Sequence, residues 1–176
     1  MASFKIVVTG PFNSGKTEFI KTSSEIPVVS TEQRITTEDR GIKEETTVAM
    51  DFGRMTLDGD LLYLYGTPGQ ARFDFMREIL SEGMNGLIVL VDSADKPSFP
   101  DAAELISLFS GFVTVPYLVV ANKSDLEGAA RLDEVRRGTK VSAQVTVMPC
   151  NATQKSSVRQ VLLQMVKLLK EENPTP

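Results

Sequence analysis

Apolar positions fall into short runs separated by longer stretches with helical spacing. Residues 4–9 form a short β-rich run, and residues 86–91 and 117–121 are continuous apolar runs of the kind found in strands buried on both faces. Residues 145–148 read as a last strand. Residues 47–57 and 61–65 flank Asp58-Gly59-Asp60, and Asp-Gly between apolar runs signals a hairpin. Helical spacing covers residues 16–22, 72–80, 101–109 and 132–137, the last stopping at Gly138. In residues 156–170 the residues Val158, Val161, Leu162, Met165, Leu168 and Leu169 line one side of an amphipathic final helix. Residues 23–45 are polar and rich in threonine and charge, and read as one long mobile loop; loops of that length in a compact domain are usually functional. Strands alternating with helices predict an α/β fold with three α/β/α layers. Its sheet is expected to have six strands, mostly parallel, with one antiparallel edge strand from the hairpin. No repeat or second-domain boundary is visible, so residues 1–171 read as one domain and residues 172–176 as a disordered tail.

Composition narrows the chemistry more than the fold. The 176 residues suit one domain with a sizeable core. The net charge of −4 gives no general attraction to nucleic acid or to a membrane, so an anionic ligand must be held by local groups. The chain has no histidine, which excludes histidine acid–base catalysis, histidine metal ligation and a histidine pH switch. The single cysteine, Cys150, cannot form an internal disulfide, reads as a buried thiol and fits a reducing cytosol. No signal peptide, no apolar stretch long enough to span a bilayer, no N-myristoylation pattern and no prenylation cysteine are found. The expectation is a cytoplasmic protein without a membrane anchor of its own.

The strongest local signal is Gly10-Pro11-Phe12-Asn13-Ser14-Gly15-Lys16-Thr17, which matches G-x-x-x-x-G-K-[ST] between a predicted strand and a predicted helix. In such a loop the backbone N–H groups of Asn13, Ser14, Gly15, Lys16 and Thr17 wrap phosphate oxygens, and the helix dipole adds to the attraction. The Lys16 ammonium reaches the β- and γ-phosphates, and the Thr17 hydroxyl is a ligand for Mg2+. The loop indicates a nucleotide without saying which. Asn122-Lys123-Ser124-Asp125 supplies the choice, just past the buried strand 117–121. A ligand on an open α/β sheet lies at the carboxyl ends of the strands. The Asp125 carboxylate can accept both the N1–H and the N2 amine of guanine; adenine offers neither donor. The Lys123 stem can lie over the base, and Asn122 can tie this loop to the phosphate loop. Cys150-Asn151-Ala152 follows the last strand; Asn151 and Ala152 are candidates there, the Ala152 N–H for guanine O6, with a plain loop as the alternative reading.

Together these motifs resemble the Ras-like small GTPases over nearly the whole chain, within the P-loop NTPase fold. The resemblance implies GTP and GDP as ligands, Mg2+ as cofactor and GTP hydrolysis as the reaction. Gly66-Thr67-Pro68-Gly69-Gln70 looks like the family's D-x-x-G-Q segment. It implies that the Gly69 N–H meets the γ-phosphate and that Gln70, with Lys16, carries catalysis by orienting the attacking water. Spacing back from Gln70 matches the threonine of the first switch loop to Thr47, with Thr46 as the near alternative and Thr36 and Thr37 behind it.

Two departures matter. Gly66 stands where the family has an aspartate near Mg2+, and Asp51 on the paired hairpin strand is the candidate replacement, with an ordinary strand carboxylate as the other reading. Phe12 stands where glycine is common and crowds the catalytic glutamine, which predicts slow intrinsic hydrolysis. Arg34, Arg40 and Arg72 are candidates for an arginine finger. The residues around Thr46–Gly53 and the Asp-less loop look like the prokaryotic branch, the MglA and Rup group. That resemblance implies an effector and a GTPase-activating partner of Roadblock/LC7 dimer type.

Overall fold

The computed structural model describes residues 1–39, 41–68, 83–110 and 114–172, and at residues 31–39, 43–48 and 109 the backbone only. Its seven strands are β1 (Ser3–Thr9), β2 (Val29–Asp39), β3 (Ile42–Leu57), β4 (Asp60–Gly66), β5 (Gly86–Asp92), β6 (Tyr117–Asn122) and β7 (Val147–Pro149). The helices among the described residues are α1 (Lys16–Ser23), α2 (Phe99–Ser110), α3 (Leu132–Thr139) and α4 (Lys155–Glu172). The strands lie in the order β2-β3-β4-β1-β5-β6-β7. β1, β4, β5, β6 and β7 run parallel, and β3 runs antiparallel to both β2 and β4.

Alternation along the central strands builds two cores, one on each face. Ile6, Val8, Ile88, Leu90, Leu118 and Val120 face α1 and α4. Val7, Leu87, Val89, Val91, Val119 and Ala121 face α2 and α3. Side chains that alternate across strands covered on both faces must all be apolar, which explains the unbroken runs in the sequence. Of the α4 positions predicted by spacing, Val158, Val161, Leu162, Met165 and Leu169 are buried in the first core, with Leu168 packed at its margin.

The hairpin at Asp58-Gly59 closes with Leu57 opposite Asp60. Both turn residues have positive φ, 49° and 88°, as a two-residue type I′ turn requires. The sheet differs from expectation in one strand. Residues 29–39, part of the stretch read as a long loop, form β2, which pairs with β3 from Val29 opposite Phe52 to Asp39 opposite Ile42. The antiparallel strand β3 is therefore one in from the edge, and the sheet has seven strands instead of six. The reason is physical: an edge strand needs a partner backbone more than apolar anchors, and Val29, Thr31, Ile35, Thr36 and Thr37 are β-branched. β4 stops at Gly66, opposite Asp51. From Met50 back to Ile42, β3 therefore has β2 as its neighbour and extends past the sheet as a two-stranded ribbon. The helix predicted over residues 72–80 and the tail from residue 173 lie outside the described residues. α4 runs to Glu172.

Candidate functional site

The loop between β1 and α1 is shaped by its glycines and by Asn13. Asn13 and Gly15 both take left-handed backbone conformations, φ 65° and 102°. A Cβ at Gly15 would stand 2.2 Å from Asn122 Nδ2, so glycine is needed there both for the turn and for the close approach of the second loop. Gly15 also precedes α1 without any side-chain cap. The helix N-terminus is left with unsatisfied N–H groups and a partial positive charge, which suits an anion.

Lys16 is nearly buried, with its ammonium donating to Gly10 O at 2.7 Å and Pro11 O at 3.0 Å. Burial pulls its pKa down to about 8, partly offset by the nearby Asp51 carboxylate. Thr17 Oγ1 donates to Asp51 Oδ2 at 2.9 Å. These residues line one cavity of about 520 Å³ with Phe12, Thr67 and Pro68. The Phe12 ring is 72% exposed at its mouth. Thr67, the first residue after β4, is fixed by its N–H to Val8 O at 3.0 Å and its hydroxyl to Thr9 at 2.9 Å.

Space at position 66 is limited by two side chains. A Cβ on Gly66 would stand 2.6 Å from Ile20 Cδ1 and 3.4 Å from Asp51 Cβ. Asp51 lies directly across the strand pair from Gly66, so the carboxylate beside Thr17 comes from β3. Hydroxyl and carboxylate side by side at a helix N-terminus fit Mg2+, which is held by one or two such groups with phosphate and water oxygens. Among the described residues no group of three or more His, Cys, Asp or Glu gathers as a metal cage.

Thr47 is on the same strand as Asp51. It lies four residues from Asp51 along β3, opposite Arg34, about 13 Å away at the rise of an extended strand. Thr46 is farther along the strand, and Thr36 and Thr37 lie in the ribbon opposite Glu45 and Glu44. Gly69, Gln70 and Arg72 lie outside the described residues, as does Arg40.

The second loop is built by a division of labour. Asn122 uses both ends of its amide: Nδ2 donates to Ser14 O at 2.9 Å, and Oδ1 accepts from Ala152 N at 3.0 Å. The Ala152 N–H, expected to be free for a guanine oxygen, is thus taken up by Asn122. Asn151 Oδ1 accepts from the N–H and hydroxyl of Thr153. Lys123 Nζ donates to Asn13 O at 3.0 Å and pairs with Asp92 Oδ2 at 2.8 Å. Ser124 Oγ donates to Cys150 O at 3.1 Å. Asp125 is exposed and has no hydrogen bond or ion pair within the described residues. Three side chains hold the loop, and the fourth, the Asp125 carboxylate, makes no contact among the described residues. Cys150 is buried, and burial pushes its thiol pKa up, the state expected of an unreactive core cysteine.

Asp92 was not legible as a site residue. The available signal was its position as the first acidic residue closing a buried parallel strand, at the sheet edge where ligands bind.

A family model described as "Conserved hypothetical ATP binding protein" matches residues 8–176. An uncharacterized protein of Methanocaldococcus jannaschii is 33% identical over 69% of this chain and 71% of its own length. Human EF-hand calcium-binding domain-containing protein 4B is 30% identical over 98% of this chain, which spans only 23% of that protein. Ras-related protein RABD2a of Arabidopsis thaliana is 28% identical over 72% of this chain and 66% of its length. Mutual gliding-motility protein MglA of Myxococcus xanthus, at 25%, is no nearer than the plant protein. The relationship to Ras-family proteins is thus general, and the expected prokaryotic branch is not singled out. No helix among the described residues is long and apolar enough to cross a membrane.

Proposed function

The chain belongs to the family described as conserved hypothetical ATP binding proteins, and from that premise we propose that its nucleotide is a guanine nucleotide and its role that of a GTP-dependent switch. The observation that carries this reading is Asp125. It is an exposed carboxylate without a partner among the described residues, in a loop that Asn122 and Lys123 bind to the phosphate loop. A carboxylate there is matched by the two donors of guanine, and adenine would leave it unpaired in a desolvated site. Distant Ras-related homologues support the same choice.

In this proposal the N-terminus of α1 and Lys16 hold the phosphates. Thr17 and Asp51 hold Mg2+, which when bound neutralises phosphate charge. Arrival of the phosphate gives the Lys16 ammonium charged acceptors in place of Gly10 O and Pro11 O. Hydrolysis is slow and partner-stimulated, with Gln70 orienting water and a Roadblock/LC7-type dimer as the activating partner. Phe12, exposed at the cavity mouth, favours a second reading in which GTP is bound and turnover is negligible. We place its work in the cytoplasm, with residues 1–171 as the GTP-binding domain.

Nucleotide released by mild denaturation and identified by chromatography tests the first claim: guanine nucleotide is expected, and adenine nucleotide alone would refute it. A single-turnover assay with and without partner separates slow hydrolysis from none. In an Mg2+ titration of nucleotide binding, Asp51→Ala should raise the Mg2+ concentration required; an unchanged requirement would remove Asp51 from the metal site.

A further inference from the structure

Asp92 ends β5 and is 7% exposed. Its Oδ1 accepts the Ala94 N–H at 3.0 Å, and its Oδ2 holds the Lys123 ammonium at 2.8 Å. That ammonium also donates to Asn13 O, in the phosphate loop, at 3.0 Å. Both residues bridged by this contact are in left-handed backbone conformations, Asn13 at φ 65° and Lys123 at φ 59°. For a lysine that conformation is uncommon, and it persists only where surrounding contacts fix it. Ser93, the next residue, adds two bonds to the same loop: its N–H and its hydroxyl both donate to Asn122 O, at 3.0 and 2.6 Å.

From this geometry we infer that Asp92 is a positioning residue for nucleotide recognition: through the Lys123 ammonium it fixes the distance between the base-reading loop and the phosphate loop. The inference rests on the proposal that the site binds a nucleotide. A nucleotide meets the protein at two places, base and phosphates. Two subsites on one ligand reinforce each other only while their spacing is held, because the second contact then forms at high effective concentration. Lys123 is otherwise a long, mobile cation whose tie to a backbone carbonyl is a single bond. A nearly buried carboxylate on its other side removes that freedom. Asn122 bonds the two loops as well, but to Ser14, so Lys123 and Asp92 add a second and separate tie at the preceding residue and give the junction a fixed angle.

A merely structural role for Asp92 would loosen the phosphate loop for every ligand; a spacing role affects only ligands that touch both loops. The test therefore uses fluorescent methylanthraniloyl-GDP and inorganic tripolyphosphate, each with Mg2+, on wild type, Asp92→Asn, Lys123→Met and the double variant. In Asp92→Asn, GDP release should accelerate about tenfold or more, the loss of a charge-assisted hydrogen bond, while tripolyphosphate affinity stays within about twofold of wild type. The double variant should release GDP no faster than Lys123→Met, because Asp92 acts through that ammonium. Additive effects, or an equal loss of tripolyphosphate binding, would overturn the inference. If Asp92→Asn does not fold, Asp92→Ser, which also removes the charge facing the Lys123 ammonium, is measured with the same two ligands and the same expected contrast. Wild-type protein that binds tripolyphosphate but no GDP would overturn the nucleotide reading itself, a result distinct from a wild type that binds GDP and an Asp92→Asn variant that behaves like it.

Discussion

Burial holds the Lys16 pKa near 8 while its hydrogens go to Gly10 O and Pro11 O. Phosphate oxyanions would favour the charged form, so binding above that pH takes up a proton. Nucleotide affinity should then fall as pH rises above about 8, approaching tenfold per pH unit for one linked group. Lys16→Met should bind weakly and lose that slope; calorimetry at several pH values reads both. The sign reverses for the stability of the ligand-free protein. Between about 8 and the ordinary lysine pKa the unfolded chain holds more protons than the folded one, so stability rises with pH across that window. Gly66→Asp, which restores the residue common in Ras-like proteins, should destabilise by about 1–3 kcal/mol through collision with Ile20. Thermal denaturation checks this, and a variant of wild-type stability with tighter Mg2+ binding would contradict it. At this scale the sequence was legible where a motif fixes both residue type and spacing, as for Lys16, Thr17, Asn122 and Lys123. Asp51 was reachable because hairpin pairing is a local inference. Asp92 and the Ala152–Asn122 bond were not, since they depend on which strand ends meet across the sheet.

β2 and the first part of β3 set the limits of the sequence reading at the level of elements. The parallel core strands were visible because burial on both faces leaves unbroken apolar runs. β2 lacks that signature: its stabilisation comes from pairing with β3, and its composition of Thr, Glu and Arg resembles a loop. Past Asp51 the ribbon has no third strand among the described residues, and two-stranded hairpins are marginal alone in water. Amide hydrogen exchange should therefore run at least about tenfold faster at residues 31–39 and 42–49 than in β1 and β5, with the difference set by local opening. Equal protection would show that the ribbon is stabilised by something other than its own pairing. Thr47 can approach the Thr17–Asp51 pair only if this pairing opens. A GTP analogue with Mg2+ should thus raise exchange at β2 amides relative to GDP if Thr47 is a switch residue, and leave it unchanged if not.

For the whole molecule the question is how two loops 108 residues apart in the sequence come to meet. The parallel sheet carries the ends of β1, β5 and β6 to one edge, and Asn122 and Lys123 bond there to the phosphate loop. Asp125 is exposed there and has no hydrogen bond or ion pair among the described residues, so in the proposed function the identity of the base rests on that carboxylate. Competition of GTP and ATP for labelled GDP, on wild type and on Asp125→Ala, measures that dependence directly. GTP should displace the label at least about a hundredfold better than ATP, and Asp125→Ala should lose most of that preference while keeping its fold. ATP binding as tightly as GTP, with no change in Asp125→Ala, would contradict guanine recognition at this site.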